Sequence, residues 1–114
     1  MSNEKNVRIS VKLDEKNIPE KITWFADDAG LSNPANCRAM LLALWDNEQK
    51  TTLKLDLWTK HMTVDEMKIF FYETLVTMTE TFENSTKEDK MAGDMRDFCD
   101  YFAEKMEVAK KEGE

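Results

Sequence analysis

Four side chains that could act as acids, bases or metal ligands lie close together in the stretch TLKLDLWTKHMTVDEM, residues 52–67. They are Asp56, His61, Asp65 and Glu66. A zinc site needs three or four converging ligands, and acid–base catalysis needs a carboxyl or imidazole in a pocket. The chain has one histidine, and its spacing to the carboxylates is not that of an HExxH motif. We therefore expect neither a metal site nor catalytic residues here, and read the stretch as the end of a strand followed by the start of a helix.

Other kinds of catalytic or cofactor site are equally poorly supported by the sequence. The 3 glycines form neither a GxGxxG pattern nor a P-loop, so no phosphate cradle is predicted. No nucleophile stands beside a candidate base. Asp27 and Asp28 are adjacent and are expected to start a turn. The sequence thus predicts no cofactor and no enzyme activity.

The two cysteines, Cys37 and Cys99, do not form a CxxC motif. Two isolated cysteines are typical of a reducing compartment, and each is expected to be a small buried apolar residue. No sequence feature near either residue indicates a lowered thiol pKa. We predict no redox role for them.

Charge and hydropathy limit which partners and which cellular location are expected for the protein. The chain of 114 residues has a net charge of −7, which gives it no electrostatic footprint for nucleic acid or anionic lipid. No run approaches the roughly 18 apolar residues needed to cross a bilayer, and the opening MSNEKNVRIS has no apolar signal region. We expect one domain over residues 1–114, in the cytoplasm, without nucleic acid and without direct membrane insertion.

The first half of the chain is patterned as strands. VRISVKL and the LKLD part of TTLKLDLW alternate apolar and polar residues, which is the period of a strand with one buried face. ITWFA is also read as a strand, with Ile22, Trp24 and Ala26 on one face and Thr23 and Phe25 on the other. Residues 27–36 are rich in turn formers and predict an exposed loop. The segment 37–45, CRAMLLALW, fits a helix by spacing and a strand buried on both faces by its apolar character. We choose the strand, which gives a four-stranded antiparallel sheet over residues 6–58.

The second half is patterned as two helices. Thr63 followed by Glu66 predicts a capping box at the first helix start. Apolar residues at steps of three and four predict helices over 63–83 and 88–110, folded as a hairpin against the sheet. The two stripes are Val64, Met67, Phe71, Leu75, Met78 and Phe82, then Met91, Met95, Phe98, Phe102 and Met106. The fold class predicted is therefore α+β.

The first helix is apolar beyond its stripe, which indicates burial on more than one side or a surface for a partner. Phe70 and Tyr72 lie off that stripe, and Trp58 alternates in direction with the leucines of its strand. Because aromatic anchors dominate interfaces, we predict Trp58, Phe70 and Tyr72 as partner contacts. The alternative is a small-ligand site or an enzyme pocket near the tryptophans and the 27–36 loop.

Four long segments of the chain have an unusual sequence: IPEKITWFADD, AMLLALWD, LKLDLWTKHMTVDEMKIFFYETLVTMTETF and DFCDYFAEKMEVAKK. In these segments the chain resembles the GldC family of gliding-motility proteins of Bacteroidetes. The resemblance implies a small cytoplasmic protein that supports gliding, a surface motility linked to type IX secretion, and it implies no enzyme activity. Its expected partners are proteins of the gliding and secretion apparatus. The resemblance leaves open the partner's identity and whether the chain forms a homo-oligomer.

Overall fold

The computed structural model describes residues 3–109. By its internal contacts the chain divides between Met62 and Thr63 into two compact units, an all-β unit and a helical unit. The expectation of a single domain over 1–114 stays a prediction.

The β unit begins with a three-stranded antiparallel sheet of β1 (Val7–Leu13), β2 (Pro19–Ala26) and β3 (Ala35–Cys37). The register sets Ile9 opposite Trp24 and Val11 opposite Ile22, so the alternating apolar residues of both strands share one face. Ile22 at the centre of that face is fully buried. The opposite face is polar apart from Phe25, which the Arg8 guanidinium covers at 5.2 Å from the ring centroid.

The β unit continues with a two-stranded hairpin of β4 (Ala39–Asp46) and β5 (Thr51–Trp58). The predicted strand character of 37–45 is confirmed except at Arg38, where the chain bends. The predicted single four-stranded sheet is wrong: the bend ends pairing with β2 and begins pairing with β5, which gives sheets of three and two strands. The predicted loop 27–36 is also too long, because Ala35 and Asn36 belong to β3.

The helical unit contains α1 (Val64–Thr86) and α2 (Asp89–Lys105). The predicted capping box is confirmed: the Glu66 N–H donates to Thr63 Oγ1, and the Thr63 N–H donates to Glu66 Oε1, both at 3.1 Å. The class α+β and the presence of two helices are thus as predicted, but α1 ends at Thr86, three residues beyond the predicted residue 83.

The second helix ends earlier than the predicted residue 110, which itself lies outside the described residues. Glu107 adopts a left-handed conformation with φ of 57°, and the Val108 N–H donates to the Ala103 carbonyl at 2.8 Å. This is the hydrogen bond of a Schellman ending, which turns the chain out of the helix. The sequence carries no glycine at this position to announce the ending.

The buried residues of the two helices lie beside the stripes that the sequence predicts, and only part of each stripe packs with them: Leu75 and Phe102 lie half-buried against the core. The buried residues of α1 are Tyr72 and Thr79, and those of α2 are Ala92, Cys99 and Ala103. In both helices the packed face is turned by about one residue from the stripe of large apolar side chains. Small residues on α2 leave room for Tyr72, which packs with Cys99 and Ala103. Much of the predicted stripe is therefore exposed.

An ion pair joins the helices at their hairpin end. The Arg96 guanidinium donates to Glu83 Oε1, and this hydrogen bond lowers the pKa of the Glu83 carboxyl. Since Arg96 is about half exposed, we assign the pair a role in alignment more than in stability.

Candidate interaction surfaces

The four residues that could have formed a chemical site have separate structural positions. Asp56 is exposed on β5, and His61 lies in the connector that follows, where its carbonyl accepts from the Arg38 guanidinium at 3.4 Å. Asp65 and Glu66 lie in the first turn of α1, where negative charge favours the helix dipole. Among residues 3–109 no three His, Cys, Asp or Glu side chains are grouped so that they could hold a metal ion.

The adjacent carboxylates Asp27 and Asp28 each have a structural partner. Asp27 Oδ2 accepts from the Asn6 N–H at 2.9 Å, and Asp28 Oδ1 accepts from the Lys5 ammonium at 2.7 Å. Both contacts hold the chain before β1 against the turn after β2. The predicted turn start at Asp27 is confirmed.

The three predicted contact residues differ in accessibility. Trp58 is 56% exposed, and Phe70 is half-buried with its ring centroid 6.0 Å from that of Phe71. Tyr72 is only 2% exposed and belongs to the core between the helices. A role for Tyr72 as a partner contact does not fit this position. The contact predictions for Trp58 and Phe70 stay predictions.

A groove between the helices offers an apolar surface that the sequence analysis did not single out. Its volume is about 230 Å³, and exposed Met91 and Phe98 stand on its rim. The Cys99 thiol and Thr79 lie in its lining, and the Thr79 hydroxyl donates to the Leu75 carbonyl at 2.8 Å. We call this feature the helix groove. Phe98 also lies 6.2 Å from Tyr101, centroid to centroid, so the aromatic surface extends along α2.

The β4–β5 hairpin presents a second apolar surface. Cross-strand partners share a face, and one face of this hairpin contains only leucine and methionine along three successive pairs. We call it the leucine face: Met40, Leu42, Leu44, Leu53, Leu55 and Leu57. Leu44, Leu53 and Leu55 are about half exposed. The sequence predicts the apolar character of this region, but it cannot show that the face stays uncovered.

In the helix groove and in the groove at Trp58, both formed by residues 3–109, no tryptophan lies beside a buried carboxylate. Trp58 lines a groove of about 270 Å³ with Asp56 and Lys60, and both of these charged residues are exposed. This volume is just below the roughly 300–1,000 Å³ usual for small-ligand pockets. Trp24 lies on the apolar face of the three-stranded sheet, and Trp45 is exposed at the far end of β4.

Both cysteines are free thiols, and Cys99 is buried as predicted. Cys37 is only half-buried, and its burial raises the pKa of the thiol. A raised pKa lowers the fraction of reactive thiolate at neutral pH.

Comparisons with known proteins show which family the chain belongs to. In the part of the chain that the structure describes, no helix has the length and apolar character needed to cross a bilayer. Comparison with curated proteins finds no significant match, and comparison with solved structures finds none either. A family profile described as gliding motility-associated protein GldC-like matches residues 19–108. This match covers both helices and four of the five strands, so the chain belongs to the GldC-like family of gliding motility-associated proteins.

Proposed function

We propose that this protein is a non-enzymatic accessory or adaptor protein of the gliding machinery, acting in the cytoplasm through protein–protein contacts. Membership of a gliding motility-associated family supports the assignment of the protein to gliding motility. The single observation that supports action through a protein surface is the exposed apolar rim of the helix groove. Met91 is 53% exposed and Phe98 is 51% exposed.

Clustered apolar side chains of this size usually mark an interaction surface. An aromatic side chain beside an apolar groove is the kind of anchor that contributes most to binding energy. Methionine side chains adapt their shape to a partner. We therefore add Phe98 and Met91 to Trp58 and Phe70 as proposed contact residues.

The proposed partner is a protein of the gliding or type IX secretion apparatus that presents an apolar segment to the helix groove. A helix laid into a groove between two helices is a recurrent mode of such recognition. The acidic surface of the chain, with its net charge of −7, favours a segment flanked by basic residues.

The test replaces Phe98→Lys in the chromosomal copy of a gliding bacterium. Glu104→Gln is the matched control, since Glu104 is exposed on the same helix and each change raises the net charge by one. Gliding is scored as the speed of single cells on glass, and partners are captured by crosslinking. Circular dichroism of the purified variants confirms that both are folded.

The proposal predicts that Phe98→Lys reduces gliding and the crosslinked partner together, whereas Glu104→Gln leaves both at the wild-type level. A folded Phe98→Lys protein that supports normal gliding and keeps every crosslink would overturn the helix groove as the contact surface.

A further inference from the structure

The β4–β5 hairpin is a two-stranded sheet with an unused edge. Among residues 3–109, β5 pairs with β4 alone, so the backbone groups on its outer edge have no strand partner. Thr51 to Asp56 are all exposed. A two-stranded hairpin is only marginally stable in water, and stability normally needs a third strand or a covered apolar face. A long, uncovered edge strand with one apolar face also invites pairing with another strand.

The sequence of β5 is complementary to itself when two copies run antiparallel. A two-fold axis at Leu55 sets Lys54 of one copy opposite Asp56 of the other, and the reverse pair forms by symmetry. Opposite charges placed directly across two strands stabilise the pairing. Leu53 then stands opposite Leu57 of the second copy, so the leucine face continues without interruption across both chains.

Neighbouring registers lack this complementarity. Moving the axis to Lys54 or to Asp56 sets like charges opposite each other, which destabilises the pair. Moving the register by a single residue sets leucines opposite charged residues, because successive side chains point to opposite faces. Of these registers, only the one centred on Leu55 matches both faces.

Within one chain neither charge has an opposing charge across the hairpin. Lys54 stands opposite Ala43, and Asp56 stands opposite Leu41. The two charges therefore remain available for a second chain.

Within the described residues, two other long strands, β1 and β4, also have an unpaired edge. β1 is less suited, because its polar face carries Arg8 and Lys12, which would oppose each other in a register centred on Ser10. β4 has no opposite charges that could select a register, since its one charged residue is Asp46 at its end.

We propose that two copies of this chain pair through β5 in antiparallel orientation about Leu55, forming a continuous four-stranded sheet from two β4–β5 hairpins. The pairing completes the backbone hydrogen bonds of the edge and sets two Lys54–Asp56 pairs across the interface. It is isologous, as expected of a symmetric homodimer. It does not depend on the motility role proposed above.

The test uses charge reversal at the two positions. In the Lys54→Asp variant, the new Asp at position 54 of each copy lies opposite Asp56 of the other copy. In the Asp56→Lys variant, the new Lys at position 56 of each copy lies opposite Lys54 of the other copy. Each single variant is expected to weaken self-association at least about tenfold, because two attractive cross-strand pairs become repulsive. Sedimentation velocity over a concentration series measures the mass relative to the 13.3 kDa chain.

Restoration of the dimer gives the sharper part of the test. The double variant Lys54→Asp/Asp56→Lys restores both opposite-charge pairs and is expected to dimerise like the wild type. An equimolar mixture of the two single variants is also expected to dimerise, since acidic strand then meets basic strand. Lys90→Asp, the same charge reversal on an exposed residue in the first turn of α2, serves as the control and leaves the mass unchanged.

A wild-type chain that stays monomeric at every concentration overturns the proposal. So does a dimer that the single reversals do not weaken, or one that neither the double variant nor the mixture restores. Circular dichroism of each variant verifies that the strands and helices are retained.

Discussion

The Asp14 carboxylate forms hydrogen bonds to two parts of the β unit, the turn between β1 and β2 and Lys60 after β5. Its Oδ1 accepts from the N–H groups of Ile18 and Lys16, at 3.0 and 2.8 Å, and so holds the turn between β1 and β2. Its Oδ2 accepts from the Lys60 ammonium at 3.2 Å. The hydrogen bond from Ile18, followed by those from Lys16 and Lys60, lowers the pKa of this carboxyl below 3.8. Bonds to the ionised form are the cause of such a shift.

The lowered pKa predicts a pH-dependent contribution to stability. A carboxyl whose pKa is lower in the folded state stabilises the fold above its unfolded pKa, and this contribution is lost as the pH falls through the folded value. Asp14→Asn should therefore lower the melting temperature at pH 7. The difference from wild type should shrink below about pH 3.8. Thermal melts from pH 7 to acid measure it, and a difference independent of pH would contradict the assignment.

Substitutions of the neighbouring residues Tyr72 and Phe71 test which side of α1 packs against α2. Tyr72 is 2% exposed and Phe71 is 42% exposed. Removing a buried aromatic side chain costs about 3–5 kcal/mol, so Tyr72→Ala should lower the free energy of unfolding by that order. Phe71→Ala should cost about 1 kcal/mol or less, in keeping with surface changes. Urea titrations followed by circular dichroism compare the two, and equal costs would show that the packed face is wrongly placed.

At the scale of elements, local patterns predict what each segment forms better than what it packs against. Period-two alternation predicts the strands, and Thr63 with Glu66 predicts the start of α1, because each signal depends on neighbouring residues only. The bend at Arg38 carries no glycine or proline signal, so the split into two sheets is not predictable from the sequence. The helix packing face is missed because Ala92, Cys99 and Ala103 are less hydrophobic than their neighbours but permit closer approach.

Gly93 gives an element-scale prediction for α2. A Cβ added there meets no atom within 4 Å, and the residue has helical backbone. Gly93→Ala should therefore raise the free energy of unfolding by about 0.5–1 kcal/mol, because alanine has the higher helix propensity. Gly30→Ala is the contrasting control. Its Cβ also meets nothing, but its φ of +69° strains an alanine, so that change should destabilise. Thermal melts of the two variants measure whether Gly93→Ala raises the melting temperature and Gly30→Ala lowers it.

At the scale of the whole molecule, each of the two units has an exposed apolar surface. The leucine face and the rim of the helix groove both belong to patterns that the sequence shows as apolar. Periodicity predicts an apolar face without saying which chain covers it. Of the predicted contact residues, Trp58 is exposed and Tyr72 lies in the core, because the sequence shows an aromatic side chain but not which side of its helix packs. The pairing proposed above would complete the exposed edge of β5 with a second copy of the chain.

A cysteine at the proposed axis tests this pairing most directly. In the Leu55→Cys variant, residue 55 of each copy lies opposite itself, at a Cα separation of about 4.5–5.5 Å that a disulfide can bridge. Leu53→Cys is the control: Leu53 is similarly exposed, but its own equivalent lies about four residues further along the second strand. After mild oxidation and non-reducing electrophoresis, a covalent dimer is expected for Leu55→Cys and little dimer for Leu53→Cys. A monomer band for both variants, or equal dimer for both, would contradict the proposed pairing.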